Sequence, residues 1–180
     1  QGGRLVCLGG NGLNCDVEFL DKQTCIYRNE DDSVLSKPGT KMESRFHLRH
    51  ESESNLLGVV YDPRGIMTAA PYEVRDDSHW VFDGTDLKNG DEFGHESLHE
   101  RIPGGASGHE TDKISASSPP GTKLLAQGLN GDGGGADMSI YETASGGATF
   151  AAGSITWPSF ILVDDAVSKI TSNVLRRFLK

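Results

Sequence analysis

The last 45 residues, Ala136 to Lys180, constrain the fold more than any other part of the chain. Met138, Ile140 and Glu142 alternate with Ser139, Tyr141 and Thr143, then Gly146-Gly147 interrupts, then a small-residue apolar run extends from Ala148 to Ser154. Alternation has the period of a strand, and a glycine pair between two such runs is hairpin grammar. After Phe160 to Val163 comes Asp164-Asp165, whose side chains can accept from the free N–H groups of a helix start. Val167, Ile170, Val174, Leu175, Phe178 and Leu179 then fall on one helical face, with Arg176, Arg177 and Lys180 in the last turn, where positive charge suits the helix dipole. A hairpin followed by a docked terminal helix is predicted.

The chain has 180 residues, enough for one domain with a sizeable core, and its 23 glycines predict many loops. A formal charge of −9 with no basic cluster excludes nucleic acid and an anionic membrane surface as partners. No apolar run approaches the ~18 residues of a membrane span, as expected of a soluble protein. Cys7, Cys15 and Cys25 lie close together in sequence. Cys15 and Cys25 flank a short segment and could bridge; the alternative is buried free thiols in a reducing compartment such as the cytoplasm.

Gly3 to Gly10 reads as a short apolar strand ending in glycines, the pattern of an interior parallel strand whose carboxyl end faces a site. Such a strand normally has a neighbour on each side. The expectation is that another polypeptide, an upstream half of the domain or a separate subunit, supplies one of them. Further strands are predicted at Val17 to Phe19, Cys25 to Arg28, Leu56 to Tyr61, Trp80 to Phe82 and Lys123 to Ala126, with an acidic turn over Asn29 to Ser33 and a loop at Pro38-Gly39. Residues 84–108 read as a polar, glycine-punctuated insertion, and Leu129 to Gly135 as a glycine-rich loop. Strands outnumber helices, which predicts an α/β domain spanning 1–180 with a β-rich insertion.

Four constellations could carry chemistry. His95-Glu96-Ser97-Leu98-His99 has the spacing with which a helix places two imidazoles on zinc and a glutamate beside the metal-bound water. Gly94 and Pro103 leave it only about two turns and few apolar residues for a packed back, so a polar loop is the competing reading. Gly10-Asn11-Gly12 at the strand end lets backbone N–H groups approach an anion or an oxyanion, the alternative being a tight turn. Cys7 lies within the strand rather than on its tip, which argues against a nucleophile elbow. Met42 to Glu53 packs Glu43, His47, His50, Glu51 and Glu53 into twelve residues; as a pocket lining, Glu43, His47 or Glu51 could hold a metal or shuttle a proton, and otherwise the segment is a charged surface. Gly104 to Asp112 runs a glycine nest into Glu110 and Asp112.

Three blocks, Ala136 to Thr143, Gly146 to Trp157 and Val167 to Leu179, together with Gly2 to Gly12, Leu57 to Val60, Val81 to Gly84, Gly104 to Asp112 and Pro119-Pro120 in the same order, resemble the carboxyl-terminal domain of the N,N-dimethylformamidase large subunit family. The resemblance implies a fold similar to class I glutamine amidotransferases, a three-layer α/β sandwich without the cysteine nucleophile. It implies hydrolysis of small N-substituted amides at a mononuclear iron held by two tyrosines and a glutamate. It places Glu43 at the glutamate ligand and Arg49 at the arginine that follows. The sequence departs from the pattern where Leu13-Asn14-Cys15 replaces the aromatic run after Gly-Gly-Asn-Gly. None of Tyr27, Tyr61, Tyr72 and Tyr141 stands in a tyrosine-ligand motif. A partner chain is thus expected to complete the iron site.

Three functions follow from these readings. The first is a subunit or processed part of a metal-dependent amide hydrolase, with Glu43 as metal ligand and His47 and Glu51 as catalytic groups. The second is a silent binding or interaction module, lectin-like or partner-binding, that keeps the fold without the chemistry. The third is a zinc hydrolase using His95, Glu96 and His99.

Overall fold

A computed structural model describes residues 2–28, 41–96, 98, 100–101 and 103–180. The strands in chain order are β1 (Arg4–Cys7), β2 (Asp16–Phe19), β3 (Cys25–Arg28), β4 (Val60–Asp62), β5 (Ala69–Ala70), β6 (Tyr72–Val74), β7 (Glu92–Phe93), β8 (Ser107–Gly108), β9 (Thr111–Lys113), β10 (Lys123–Gly128), β11 (Asp137–Glu142) and β12 (Ala148–Ala151). Among the described residues two α-helices, α1 (Ser54–Leu57) and α2 (Asp165–Phe178), accompany them. The architecture is mixed α/β, mostly sheet with few helices.

Six strands form the main sheet in the order β1-β12-β11-β10-β6-β7. Only the β1–β12 pair is parallel; the others are antiparallel. The hairpin at Gly146 forms as expected, with Glu142 opposite Ala148. The alternation in β11 does not mark a solvent face, however. Asp137 to Tyr141 are all buried, because β11 lies inside the sheet with both faces covered. The first strand is parallel, as its composition indicated, but it stands at the edge of the sheet rather than inside it.

Successive residues of β12 divide the core. Phe150 faces a cluster with Tyr72, Phe93, Trp157, Phe160, Val167, Ile170 and Val174, whereas Ala151 faces Leu57 and Val59. Helix α2 therefore covers one side of the sheet and α1 the other. Asp164 starts α2 as expected: Oδ1 accepts from the Val167 N–H (3.0 Å), while Oδ2 accepts from the Gly94 N–H (3.0 Å). The buried face is narrower than the apolar spacing implied. Leu175 and Leu179 are exposed, and Val167, Ile170, Thr171 and Val174 make the contact.

Two predicted strands take other forms. Trp80 to Phe82 is a 3-10 turn whose first residues are held by His79 Nδ1 accepting from the Val81 N–H. Leu56-Leu57 ends α1, Gly58 stops it at φ +80°, and β4 begins only at Val60. A left-handed glycine closes a helix without the Cβ strain any other residue would meet there. Tyr72 to Val74, absent from the sequence reading, is a strand of the main sheet. The 84–108 stretch is tied to the core by β7, whose Phe93 is buried against Tyr72 and Trp157. Within it, His95 and Glu96 are exposed and lie outside any helix, so the helical spacing needed for a zinc pair is not formed over them. His99, the acidic turn at 29–33 and the loop at 38–39 lie outside the described residues. The three cysteines are free thiols: Cys7 and Cys15 half-buried and Cys25 exposed.

Candidate functional site

The carboxyl end of β1 leads into Gly9-Gly10-Asn11-Gly12, and this loop sits against Glu110 and the strand β9 that follows it and carries Asp112. A Cβ at Gly10 would lie 2.8 Å from the Glu110 carbonyl oxygen, so glycine is required by backbone packing on backbone. Asn11 adopts φ +54°, a conformation asparagine tolerates better than most residues. Two bonds hold it there. Its N–H donates to Asp112 Oδ1 (2.7 Å), and its Nδ2 donates to Glu110 Oε2 (3.0 Å). The first contact occupies the N–H group that an oxyanion hole would need, so Asn11 contributes its side chain rather than its backbone.

Asn11 and Glu110 border a cavity of about 540 Å³ that also touches Asn14, Met42, Glu43 and Tyr61. It lies at the tip of β1, where a parallel strand end is expected to face a site. Glu43 lies in its wall, but the carboxylate is wrapped in hydroxyls. Oε2 accepts from Ser52 (2.5 Å), Ser115 (2.9 Å) and Ser54 (3.4 Å), and Oε1 from Ser117 (3.2 Å). Serines at the start of α1 and after β9 thus converge on one carboxyl group. This convergence was invisible in sequence because the serines lie up to 74 positions from the glutamate.

The other residues singled out in this segment stand elsewhere. His47 sits on a 3-10 turn, Phe46–Leu48, and its Nδ1 accepts from the Glu43 N–H (3.0 Å), which orients the glutamate backbone. Glu51 is exposed and accepts from Asn55 Nδ2 (3.0 Å). Neither borders the cavity. Arg49 pairs with Asp16 at the base of the β2–β3 hairpin (3.1 Å). Gly10 and Gly12 flank Asn11 and shape the loop, Gly12 leaving room for Leu57 and Cys7 beside it.

Beneath the cavity lie two buried acids that sequence reading did not bring together. Asp112 and Glu53 are 1% and 2% exposed. Glu53 accepts from Ser44 Oγ (2.5 Å), while its Oε1, Asp112 Oδ2 and Asn11 Oδ1 are buried without a hydrogen-bond partner among the described residues. Burial pushes the Asp112 carboxyl up to about 7, against the opposing effect of the Asn11 N–H, with Glu53 and Glu110 adding to the rise. Burial likewise raises Glu53. A carboxyl that keeps its proton in the folded state binds more protons than the unfolded chain does, so its stabilising contribution is full below about 3.8 and is lost as pH rises through about 7. Thermal stability of the wild type should therefore fall over that interval by up to about 1.4 kcal/mol per pH unit from this group. Asp112→Asn should flatten that slope in melting curves taken from pH 4 to 8; an unchanged slope would show that Asp112 is ionised throughout.

The resemblance implies an iron site built from two tyrosines and a glutamate, and the tyrosines test that fit. Tyr72 is buried in the core with its hydroxyl donating to the Ala152 carbonyl (2.8 Å), Tyr141 donates to the Leu56 carbonyl (2.7 Å), and Tyr27 is exposed on β3. Only Tyr61 reaches the cavity. Among the described residues no group of three or more His, Cys, Asp and Glu side chains is arranged to hold a metal. The described residues therefore do not by themselves supply the two-tyrosine set.

Comparison with known proteins agrees with the order of motifs along the chain. Residues 1–166 match the family described as N,N-dimethylformamidase beta subunit-like, C-terminal. The N,N-dimethylformamidase beta subunit of Alcaligenes sp is 30% identical over 224 aligned residues, covering 100% of this chain and 29% of the relative. That of Paracoccus aminophilus is 30% identical over 169 residues, covering 76% of this chain and 22% of the relative. The chain thus spans less than a third of the length of either relative. It belongs to the N,N-dimethylformamidase beta subunit-like family, in the part of that family's sequence described as C-terminal.

Proposed function

We propose that this chain forms one wall of the active site of a hydrolase for small N-substituted amides, N,N-dimethylformamide being the substrate its relatives' names point to. The observation that carries the reading is the Asn11–Glu110 pair at the mouth of the β1-tip cavity. Asn11 Nδ2 fixes one oxygen of Glu110, so the carboxylate is oriented towards the cavity wall it shares with Glu43 and Tyr61. In this reading Glu110 is the group that takes the proton from the attacking water, and Asn11 holds it in place. Glu43, its oxygens occupied by serine hydroxyls, shapes the same wall. The iron implied by the resemblance would polarise the amide carbonyl and lower the pKa of bound water. The two tyrosines of that ligand set would come from the remainder of the beta subunit, within a sheet completed to the amidotransferase-like sandwich.

The test is to express the chain with the portion that corresponds to the remainder of its relatives' beta subunit, fused to it or as a second polypeptide. Amine release from N,N-dimethylformamide and iron content per chain are then measured. Turnover with near-stoichiometric iron is expected. An intact assembly that binds small amides without turning any of them over would instead establish the silent binding module.

A further inference from the structure

Strand β1 has the surroundings of an interior strand and the position of an edge strand. Val6 and Leu8 pack on the α2 side of the sheet and Leu5 and Cys7 on the α1 side, so apolar residues on both of its faces are half-buried against the core. Strands buried on both faces are normally flanked on both edges. Here the Ala148 N–H donates to the Gly3 carbonyl (3.1 Å) and the Ala152 N–H to the Cys7 carbonyl (2.8 Å), which turns the peptide groups of the odd-numbered residues towards β12. Those of Arg4 and Val6 point the other way, to an edge that no strand occupies among the described residues. Natural edges are usually blunted by charge, proline, a bulge or very short length. After Arg4, whose guanidinium is drawn to the Arg177 and Phe178 carbonyls at the end of α2, this one carries no charge and no proline through Leu8.

We propose that the outer edge of β1 is a docking site for one additional strand, apolar on both faces and parallel to β1, contributed by the portion of the beta subunit-like polypeptide that lies outside the family match. The length of the relatives argues for this occupant, since 71% and 78% of them, the complements of the 29% and 22% covered, have no counterpart in this chain. Parallel addition also has a consequence for the site. The new strand would end beside the Gly9 to Gly12 loop and carry its own following residues to the rim of the cavity that Asn11 and Glu110 border. The inference rests on the family and on the sheet, and holds whether or not the assembly hydrolyses amides.

Proline at position 6 isolates the contact, because the Val6 N–H makes no bond to β12 and its removal leaves the existing ladder intact. Amide-resolved hydrogen exchange on the chain alone should show Arg4 and Val6 exchanging faster than Leu5 and Cys7. In the assembly with the remaining portion of the beta subunit, the Arg4 and Val6 amides should slow by at least about tenfold. Val6→Pro should weaken assembly by about tenfold or more, while the variant chain alone melts cooperatively. If the variant fails to fold, the exchange measurement on the wild type decides alone. Arg4 and Val6 amides left unprotected in the assembly, or a Val6→Pro chain that assembles as tightly as wild type, would overturn the proposal. So would a dimer of the isolated chain that Val6→Pro converts to monomer, since the edge would then belong to a second copy.

Discussion

Glu110→Gln is expected to lower kcat/KM for amide hydrolysis in the assembled protein by about two to three orders of magnitude, the range for loss of a positioned general base. Glutamine keeps the size of the side chain, and its carbonyl oxygen can still accept from Asn11 Nδ2, as the carboxylate does at 3.0 Å. What disappears is the capacity to take a proton at neutral pH. The melting temperature should move by no more than a degree or two, because no buried charge is stranded and Glu110 is only half-buried. Asn11→Ala makes a complementary case. It keeps the Glu110 side chain but releases its orientation, and it substitutes alanine at φ +54°, so a smaller rate loss should accompany some loss of stability. Turnover unchanged in Glu110→Gln would move the base elsewhere in the cavity and remove the main support for the proposed chemistry.

The legible and illegible parts of this protein divide along a physical line. Asp164, the helix after it, and the Gly146 hairpin were readable because each is fixed by residues within about four positions of one another, where capping, dipole and turn chemistry operate. The Leu56 to Tyr61 strand was half missed because α1 is a single turn, held by its packing against β12 more than by propensity. Trp80 to Phe82 has the aromatic and β-branched composition of a strand, yet His79 caps it and tertiary packing of Val81 and Phe82 bends it into a turn. The site shows the same division. Asn11 and Glu43 stood out in sequence, and Glu110 and Asp112 lay in a segment noted for its glycines. That Asn11 reaches across 99 positions to Glu110, and 101 to Asp112, is decided by the β1–β12 pairing and by β9 lying against Gly153, neither of which leaves a local signal.

That dependence on distant packing leads to the largest expected effect on stability, at Trp157. The side chain is fully buried. Its ring meets Tyr72 edge-on at 5.6 Å and Phe93 at 6.3 Å, the arrangement that aromatic quadrupoles favour. Its Nε1–H donates to Thr171 Oγ1 (3.2 Å), which in turn donates to the Val167 carbonyl, so one residue joins the 3-10 turn at Trp157–Phe160 to helix α2. Trp157→Ala should cost about 3–5 kcal/mol through lost burial and a cavity that its rigid neighbours cannot close. At roughly 2–4 °C per kcal/mol for a chain of this size, the melting temperature should fall by about 10 °C, read by calorimetry or circular dichroism. Trp157→Phe keeps the ring contacts and gives up the bond to Thr171, so it should recover more than half of that loss. A fall of less than about 2 °C in the alanine variant would mean that the core tolerates the void, contrary to the packing seen. The effect should also reach the cavity. The same segment holds β9 and the residue before it through Gly153 and Ile155: the Asp112 N–H donates to the Gly153 carbonyl (2.8 Å) and the Ile155 N–H to the Glu110 carbonyl (3.2 Å). Loosening Trp157 thus releases the backbone on which Glu110 and Asp112 stand, and activity in the alanine variant should decline at temperatures where the fold is still intact.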